Sequence, residues 1–257
     1  PVGHWKMDDN AASTTVLDSS GNGFHGTFND SGGDPNTDAH DATGVIDGAL
    51  TFDGSDDYIA IGDQDSLDFT ATDSFTYSMW VYVDSSAGAY DMCWYKGGSS
   101  AGNAGYDMEL GTGLWTAHIS DGTTLKTKFL GVEASFLDTW VLLTAVVDRE
   151  NDEFRVFRNG AQYLSGSDIT GLGSLANANS ATIGASSTGS YPFKDYIDDV
   201  MIFDRALTAA EISVQYHSGG GGVCCVNYAS PSLTNCVVCY NTARYGGGIY
   251  DANSALR

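Results

Sequence analysis

Phe75-Thr76-Tyr77-Ser78-Met79-Trp80-Val81-Tyr82-Val83 is the stretch on which the fold turns. Successive side chains of a β-strand point to opposite faces. Phe75, Tyr77, Met79, Val81 and Val83 therefore share an apolar face, and Thr76, Ser78, Trp80 and Tyr82 share the other. The three-to-four-residue spacing of an amphipathic helix is missing here. Working outward, Thr139 to Asp148 is apolar on both faces and reads as a central strand, and Tyr196 to Phe203 reads as another. Phe154 to Arg158 runs into Asn159-Gly160, a dipeptide that tolerates the positive φ angles of a tight hairpin. One short helix is predicted over Arg205 to Ile212, opened by Thr208 with Glu211 three residues on as a capping box. Many short strands separated by Gly, Ser, Asp and Asn clusters predict an all-β, two-sheet antiparallel jelly-roll sandwich. A parallel βαβ fold needs repeated helices, which the sequence lacks.

The chain of 257 residues carries 33 acidic and 11 basic side chains, a net charge of −22. A polyanion needs a basic footprint to bind to, so no nucleic acid is expected as a partner, and no anionic membrane surface. No run approaches 18 consecutive apolar residues, so no membrane span is expected. The sequence starts at Pro1 without a basic-then-apolar leader and reads as a mature product or an excised fragment. Asn29-Asp30-Ser31 is a glycosylation sequon.

After His217 the composition changes. The reading divides the chain into a domain over 1–217, a Gly-rich hinge over 218–222 and a short β tail over 223–257. Gly220-Gly221-Gly222-Val223 returns 26 residues later as Gly246-Gly247-Gly248-Ile249, the pattern of a solenoid rung. Four of the five cysteines, Cys224, Cys225, Cys236 and Cys239, lie in this tail, and Cys93 stands apart. An odd count leaves at least one thiol unpaired within the chain or bonded outside it. A vicinal pair chelates zinc poorly, so disulfides or thiols stacked within a rung are expected.

Asp18-Ser19-Ser20-Gly21-Asn22-Gly23-Phe24-His25-Gly26 combines a carboxylate, flexible glycines and several carbonyls. Two readings stand: a loop curled around a hard cation, which wants six to eight oxygens, and an ordinary hairpin turn. The histidines, His4, His25, His40, His118 and His217, show no zinc spacing. Gly98-Ser99-Ser100-Ala101-Gly102 matches a nucleophile-elbow pattern but lies in a Gly/Ser loop without the strand-to-helix context. Sugars stack on aromatic faces while carboxylates take their hydroxyls. Trp80 and Tyr82, opposite the apolar face of their strand, are candidate ligand-binding residues, with Trp94, Tyr106 and Trp115 added from neighbouring segments.

Residues 1–217 resemble the laminin-G-like, concanavalin A-like jelly-roll family of secreted bacterial proteins. The likeness rests on ordered motifs: Trp5-Lys6-Met7-Asp8-Asp9, the Asp18–Gly26 loop, Gly48 to Gly54 with Asp57-Tyr58, Phe75 to Val81, Thr139-Trp140 with Asp148, Phe157-Arg158-Asn159-Gly160, Ile197-Asp198-Asp199-Val200, Phe203 to Leu207 and Glu211-Ile212. The resemblance implies that the first and last strands lie side by side, bringing Asp8 and Asp18 near Asp198 or Asp199. It also implies one structural calcium held by Asp18, carbonyls around Asn22 and His25, Asp199 and Asp8, with a metal-free hydrogen-bonded cluster as the alternative. Glycosidases of this architecture place carboxylates in an E-x-D-x-x-E pattern. Asp107 and Glu109 share a strand face but lack that spacing, so no enzyme is expected. The tail resembles parallel β-helix repeats of polymorphic outer-membrane type proteins, through Ser230 to Cys236 and Gly246 to Tyr250. The expected function is an extracellular or cell-surface, non-catalytic, calcium-stabilised recognition or adhesion module that binds glycan or a surface protein. The alternative is a self-assembling subunit of an extracellular filament or sheath, with residues 219–257 docking on a neighbouring copy.

Overall fold

The computed structural model describes residues 1–84, 90–218, 223–226 and 249–252. Strands are numbered in chain order. One sheet runs β14 (Ala161–Gln162), β13 (Glu153–Arg158), β12 (Trp140–Asp148), β7 (Phe75–Tyr82), β17 (Lys194–Phe203), β5 (Gly48–Asp53) and β4 (Asp41–Thr43). In that sheet β1 (Gly3–Trp5) also pairs with β17, and β15 (Ser167–Asp168) with β13. The other sheet runs β11 (Leu125–Val132), β10 (Leu114–Ser120), β9 (Gly105–Gly111), β8 (Tyr90–Gly97), β16 (Ala181–Ile183), β6 (Tyr58–Gly62), β3 (Gly26–Asn29) and β2 (Thr15–Val16). Every pairing within these two sheets is antiparallel. The fold is an all-β two-sheet sandwich.

Phe75, Tyr77, Met79, Val81 and Val83 all enter the core between the sheets, as the alternation predicts. Asn159 and Gly160 take φ angles of 51° and 78° and join β13 to β14 with Arg158 opposite Ala161. Gly3 pairs with Ile202 and Trp5 with Val200, so the first and last strands of the sandwich are neighbours.

The ligand-facing aromatics expected from sequence need correction. Trp94, Tyr106 and Trp115 occupy inward positions of β8, β9 and β10 and are buried in the core. Trp80 does point away from the core, but the helix α1 (Ala209–Ser218) lies over it. Its indole stacks on Tyr216 at 5.5 Å between ring centroids, and Gln215 Nε2 donates to Ser78 Oγ at 2.6 Å beside it. Val146, Phe157, Leu207 and Ile212 form a second small core under the same helix. Of the five aromatics, only Tyr82 keeps substantial exposure.

In the tail, β18 (Val223–Val226) pairs in parallel with β19 (Ile249–Ala252), Val223 opposite Ile249. Cys224 and Cys225 lie on β18, whereas Cys236, Cys239 and the Gly219–Gly222 hinge lie outside the described residues. Cys93 is a buried free thiol of the core, its pKa pushed up by burial. Among the described residues no helix is long and apolar enough to cross a membrane.

Candidate functional site

The terminal junction contains the residues expected to hold calcium, but it sorts them into two groups. Asp18 is a clasp. Its carboxylate accepts from the N–H of His4 (3.0 Å), Ser20 (2.8 Å) and Phe24 (3.0 Å) and from the Ser20 hydroxyl (2.8 Å). These bonds outweigh its desolvation and hold its pKa below the usual value. The Asp18 N–H donates to His25 Nδ1 at 3.0 Å, and Asn22 Nδ2 donates to the Val2 carbonyl at 2.9 Å. The loop thus ties itself to β1, with Trp5 Nε1 donating to the Phe24 carbonyl at 2.8 Å.

Asp8, Asp198 and Asp199 make the second group. Ile197 and Val200 both face the core, which a regular strand forbids at that spacing. A bulge in β17 between Asp198 and Met201 resolves this, with Asp199 at φ 47°. His4 bridges the two groups: its N–H reaches Asp18, and its Nε2 donates to Asp199 Oδ1 at 2.7 Å. Asp8 Oδ1 accepts from the Gly48 N–H at 2.8 Å. Asp198 is fully buried. Its Oδ2 accepts from Val45 and Ile46 N–H at 2.7 and 3.2 Å, and its Oδ1 has no hydrogen-bond partner. Burial, then the charges of Asp199 and Asp8, push its pKa up to about 8. An orphaned buried carboxylate oxygen among mutually repelling carboxylates has the donor chemistry of a hard-cation site. Among these acids only Asp198 Oδ1 is left without a partner, and the three do not form a cluster whose donor atoms lie within 4.8 Å of one another, whereas the Asp18 carboxylate is already filled by four donors.

Beside this junction, on the same outer sheet face, three aromatics form a cross-strand row. Trp140 on β12 lies opposite Tyr82 on β7, and Tyr82 lies opposite Tyr196 on β17. Ring centroids are 5.6 Å apart for Tyr82–Trp140, 5.5 Å for Tyr82–Tyr196 and 6.3 Å for Trp140–Tyr196. All three rings are half-buried. With Ala42, Thr43 and Asp84 they line a recess of about 320 Å³, within the ~300–1,000 Å³ usual for small-ligand sites. Burial, followed by the carboxylates of Asp138 and Asp84, raises the Tyr82 phenol and keeps it a hydrogen-bond donor. A larger recess of about 980 Å³ contains Arg155 and Arg205, but Asp148 and Glu211 already pair with these guanidiniums at 2.9 and 2.8 Å.

The family described as the concanavalin A-like lectin/glucanases superfamily matches residues 53–213. The chain belongs to this superfamily. Among solved structures, this superfamily member is similar to the botulinum neurotoxin serotype G binding domain, with TM-score 0.63, 15% identity, and coverage of 84% of this chain and 50% of that one. It is also similar to the binding domain of Paraclostridial Mosquitocidal Protein 1, with TM-score 0.62, 15% identity and 83% and 53% coverage. A third is the serotype D ligand binding domain solved in complex with N-acetylneuraminic acid, with TM-score 0.59, 14% identity and 83% and 52% coverage. The chain spans about half the length of these structures, and at such identities the likeness is one of fold. No curated protein matches the chain in sequence.

Of the residues lining this recess, Tyr82 was among the sequence candidates, and Trp140, Tyr196 and Asp84 were not. The signal existed in part, because Tyr196 and Asp198 alternate with the inward Ile197, and Trp140 opens a strand otherwise apolar on both faces. Strand order, which brings the three rings into one row, had no trace in the sequence.

Proposed function

We propose that this superfamily member is an extracellular, non-catalytic recognition module that binds glycan on the Tyr82–Trp140–Tyr196 row. The observation carrying this reading is the row itself: three half-buried rings from adjacent strands, edged by Asp84, around a recess sized for one or two sugar rings. Stacking on a ring face takes the apolar side of a pyranose, and a rim carboxylate accepts hydroxyl protons. The decisive experiment is a glycan array with the full chain, followed by Trp140→Ala and Tyr82→Ala. At least one glycan is expected to bind, about tenfold more weakly after either change. Absence of any glycan ligand, or unchanged affinity in both variants, refutes the reading.

A structural calcium belongs to the same proposal, with Asp8, Asp198 and Asp199 as its carboxylates. Bound there, the ion would supply charge neutralisation and a link between the first and last strands, with no part in chemistry.

A specific observation also favours assembly as a second reading. β18 and β19 pair in parallel across the 26-residue repeat, Val223 opposite Ile249. An isolated two-stranded sheet is marginal in water, so further strands from a second copy would complete a β-helix-like rung. Sedimentation of the full chain against a variant ending at Ser218 tests this, and a concentration-independent monomer in both excludes it.

A further inference from the structure

The outer face of the eight-stranded sheet carries a second polar group, on the opposite side of the molecule's core from the aromatic row. Tyr106, Met108 and Leu110 of β9 and Trp115, Ala117 and Ile119 of β10 face the core, so Asp107, Glu109, Thr116 and His118 face outward. Asp107 lies directly across from His118 in the ladder, and Glu109 across from Thr116. One donor atom from each of Asp107, Glu109 and His118 falls within 4.8 Å of the other two. Tyr95 on β8 and Thr127 on β11 continue the row on either side.

A histidine–aspartate pair alone leaves this arrangement incomplete. His118 Nδ1 meets Asp107 Oδ1 at 2.8 Å, but Asp107 Oδ2 has no partner although the residue is 0% exposed. Glu109 then adds a second carboxylate against a single imidazole. No lysine or arginine pairs with Asp107 or Glu109 among the described residues. The buried oxygen lacks a donor, and two carboxylates face one imidazole with no lysine or arginine among the described residues paired to them. A divalent ion supplies a partner for the oxygen and balances the second carboxylate.

We propose that Asp107, Glu109 and His118 form a binding site for a first-row divalent transition metal. An imidazole nitrogen with two carboxylate oxygens suits zinc-like or manganese-like ions better than calcium, which takes oxygens alone. Three ligands from two adjacent strands leave coordination positions open on the partly exposed side of Glu109. An oxygen of a bound partner molecule can enter there.

The test uses the full chain and Co²⁺ as a spectroscopic stand-in for zinc, followed by competition with Zn²⁺ and Ca²⁺. A single visible d–d band without thiolate-to-cobalt charge transfer is expected, which separates this site from the tail cysteines. Zn²⁺ should displace Co²⁺ at stoichiometric concentrations, and Ca²⁺ should not. His118→Ala and Glu109→Gln should each weaken Co²⁺ binding by at least about tenfold. His40→Ala should leave it unchanged, although Asp30, His40 and Asp57 form the other histidine-containing cluster. Glu109 is partly exposed, so Glu109→Gln remains informative should a change at buried Asp107 or His118 impair folding. No band at millimolar Co²⁺, a band that survives both variants, or one lost with His40→Ala overturns the proposal.

Discussion

Asp18 accepts three backbone N–H groups and a hydroxyl from a single loop and the neighbouring strand. Removing its carboxylate orphans the amides of His4, Ser20 and Phe24 together, and each orphaned buried donor costs about 1–3 kcal/mol. Asp18→Ala is therefore expected to lower unfolding stability by about 3 kcal/mol or more in urea. The loss should be equal with calcium and with chelator. A loss seen only in calcium would make Asp18 a metal ligand instead of a clasp. The sequence revealed the turn, because Gly21-Asn22-Gly23 has turn chemistry. It concealed the clasp's partners, because a backbone N–H such as that of His4 leaves no mark in the sequence. The same limit explains Trp80. Its outward direction was legible from alternation, but the Tyr216 ring that covers it lies 136 residues on.

At the scale of elements, α1 is held by a reciprocal cap. Glu211 N–H donates to Thr208 Oγ1 at 3.3 Å, and the Thr208 N–H and hydroxyl both donate to Glu211 Oε2 at 2.9 Å. Thr208→Ala is expected to cost about 1 kcal/mol. Glu211 bonds first to Arg205 and then to Thr208, and these hold its carboxyl at about 2, below the ordinary 4.5. A depressed carboxylate contributes stability above its unfolded pKa and loses it as pH falls through the folded value. The melting-temperature gap between wild type and Glu211→Gln should thus be full above about pH 4.5 and close towards pH 2. A gap that stays constant over that range would show that the carboxylate charge does not hold the cap. The capping box was readable in the sequence, yet the helix runs past Ile212 to Ser218. Ser213-Val214-Gln215-Tyr216 has no strong apolar stripe, and tertiary contacts of Gln215 and Tyr216 with Ser78 and Trp80 hold the last turns. Strand β7 shows the opposite case, since its alternation alone assigned every inward residue.

At the scale of the whole molecule, a net charge of −22 makes the compact state repel itself. Part of the repulsion falls where β1 meets β17 and the buried Asp198 sits near Asp8 and Asp199. That meeting of the termini followed from family resemblance; composition and spacing were silent on it. The β17 bulge that gathers the acids was legible only as the odd spacing of Ile197 and Val200. A cation at this junction would bind the folded chain alone, because unfolding scatters the three acids across almost 200 residues. At a hundredfold excess over Kd, binding of this kind adds about 2.7 kcal/mol, or roughly 5–11 °C for a domain of this size. Calcium is therefore expected to raise the melting temperature by that amount over chelator, at constant ionic strength. Sodium chloride, which only screens, should give a smaller and gradual rise. Asp198→Asn removes the charge but keeps an acceptor for the Val45 and Ile46 amides, so it should abolish the calcium increment. In chelator near neutral pH it should melt no lower than wild type, because an acid held at about 8 must take up a proton on folding there, a cost the amide does not carry. A calcium increment that survives Asp198→Asn would locate the ion elsewhere and separate the terminal junction from any metal.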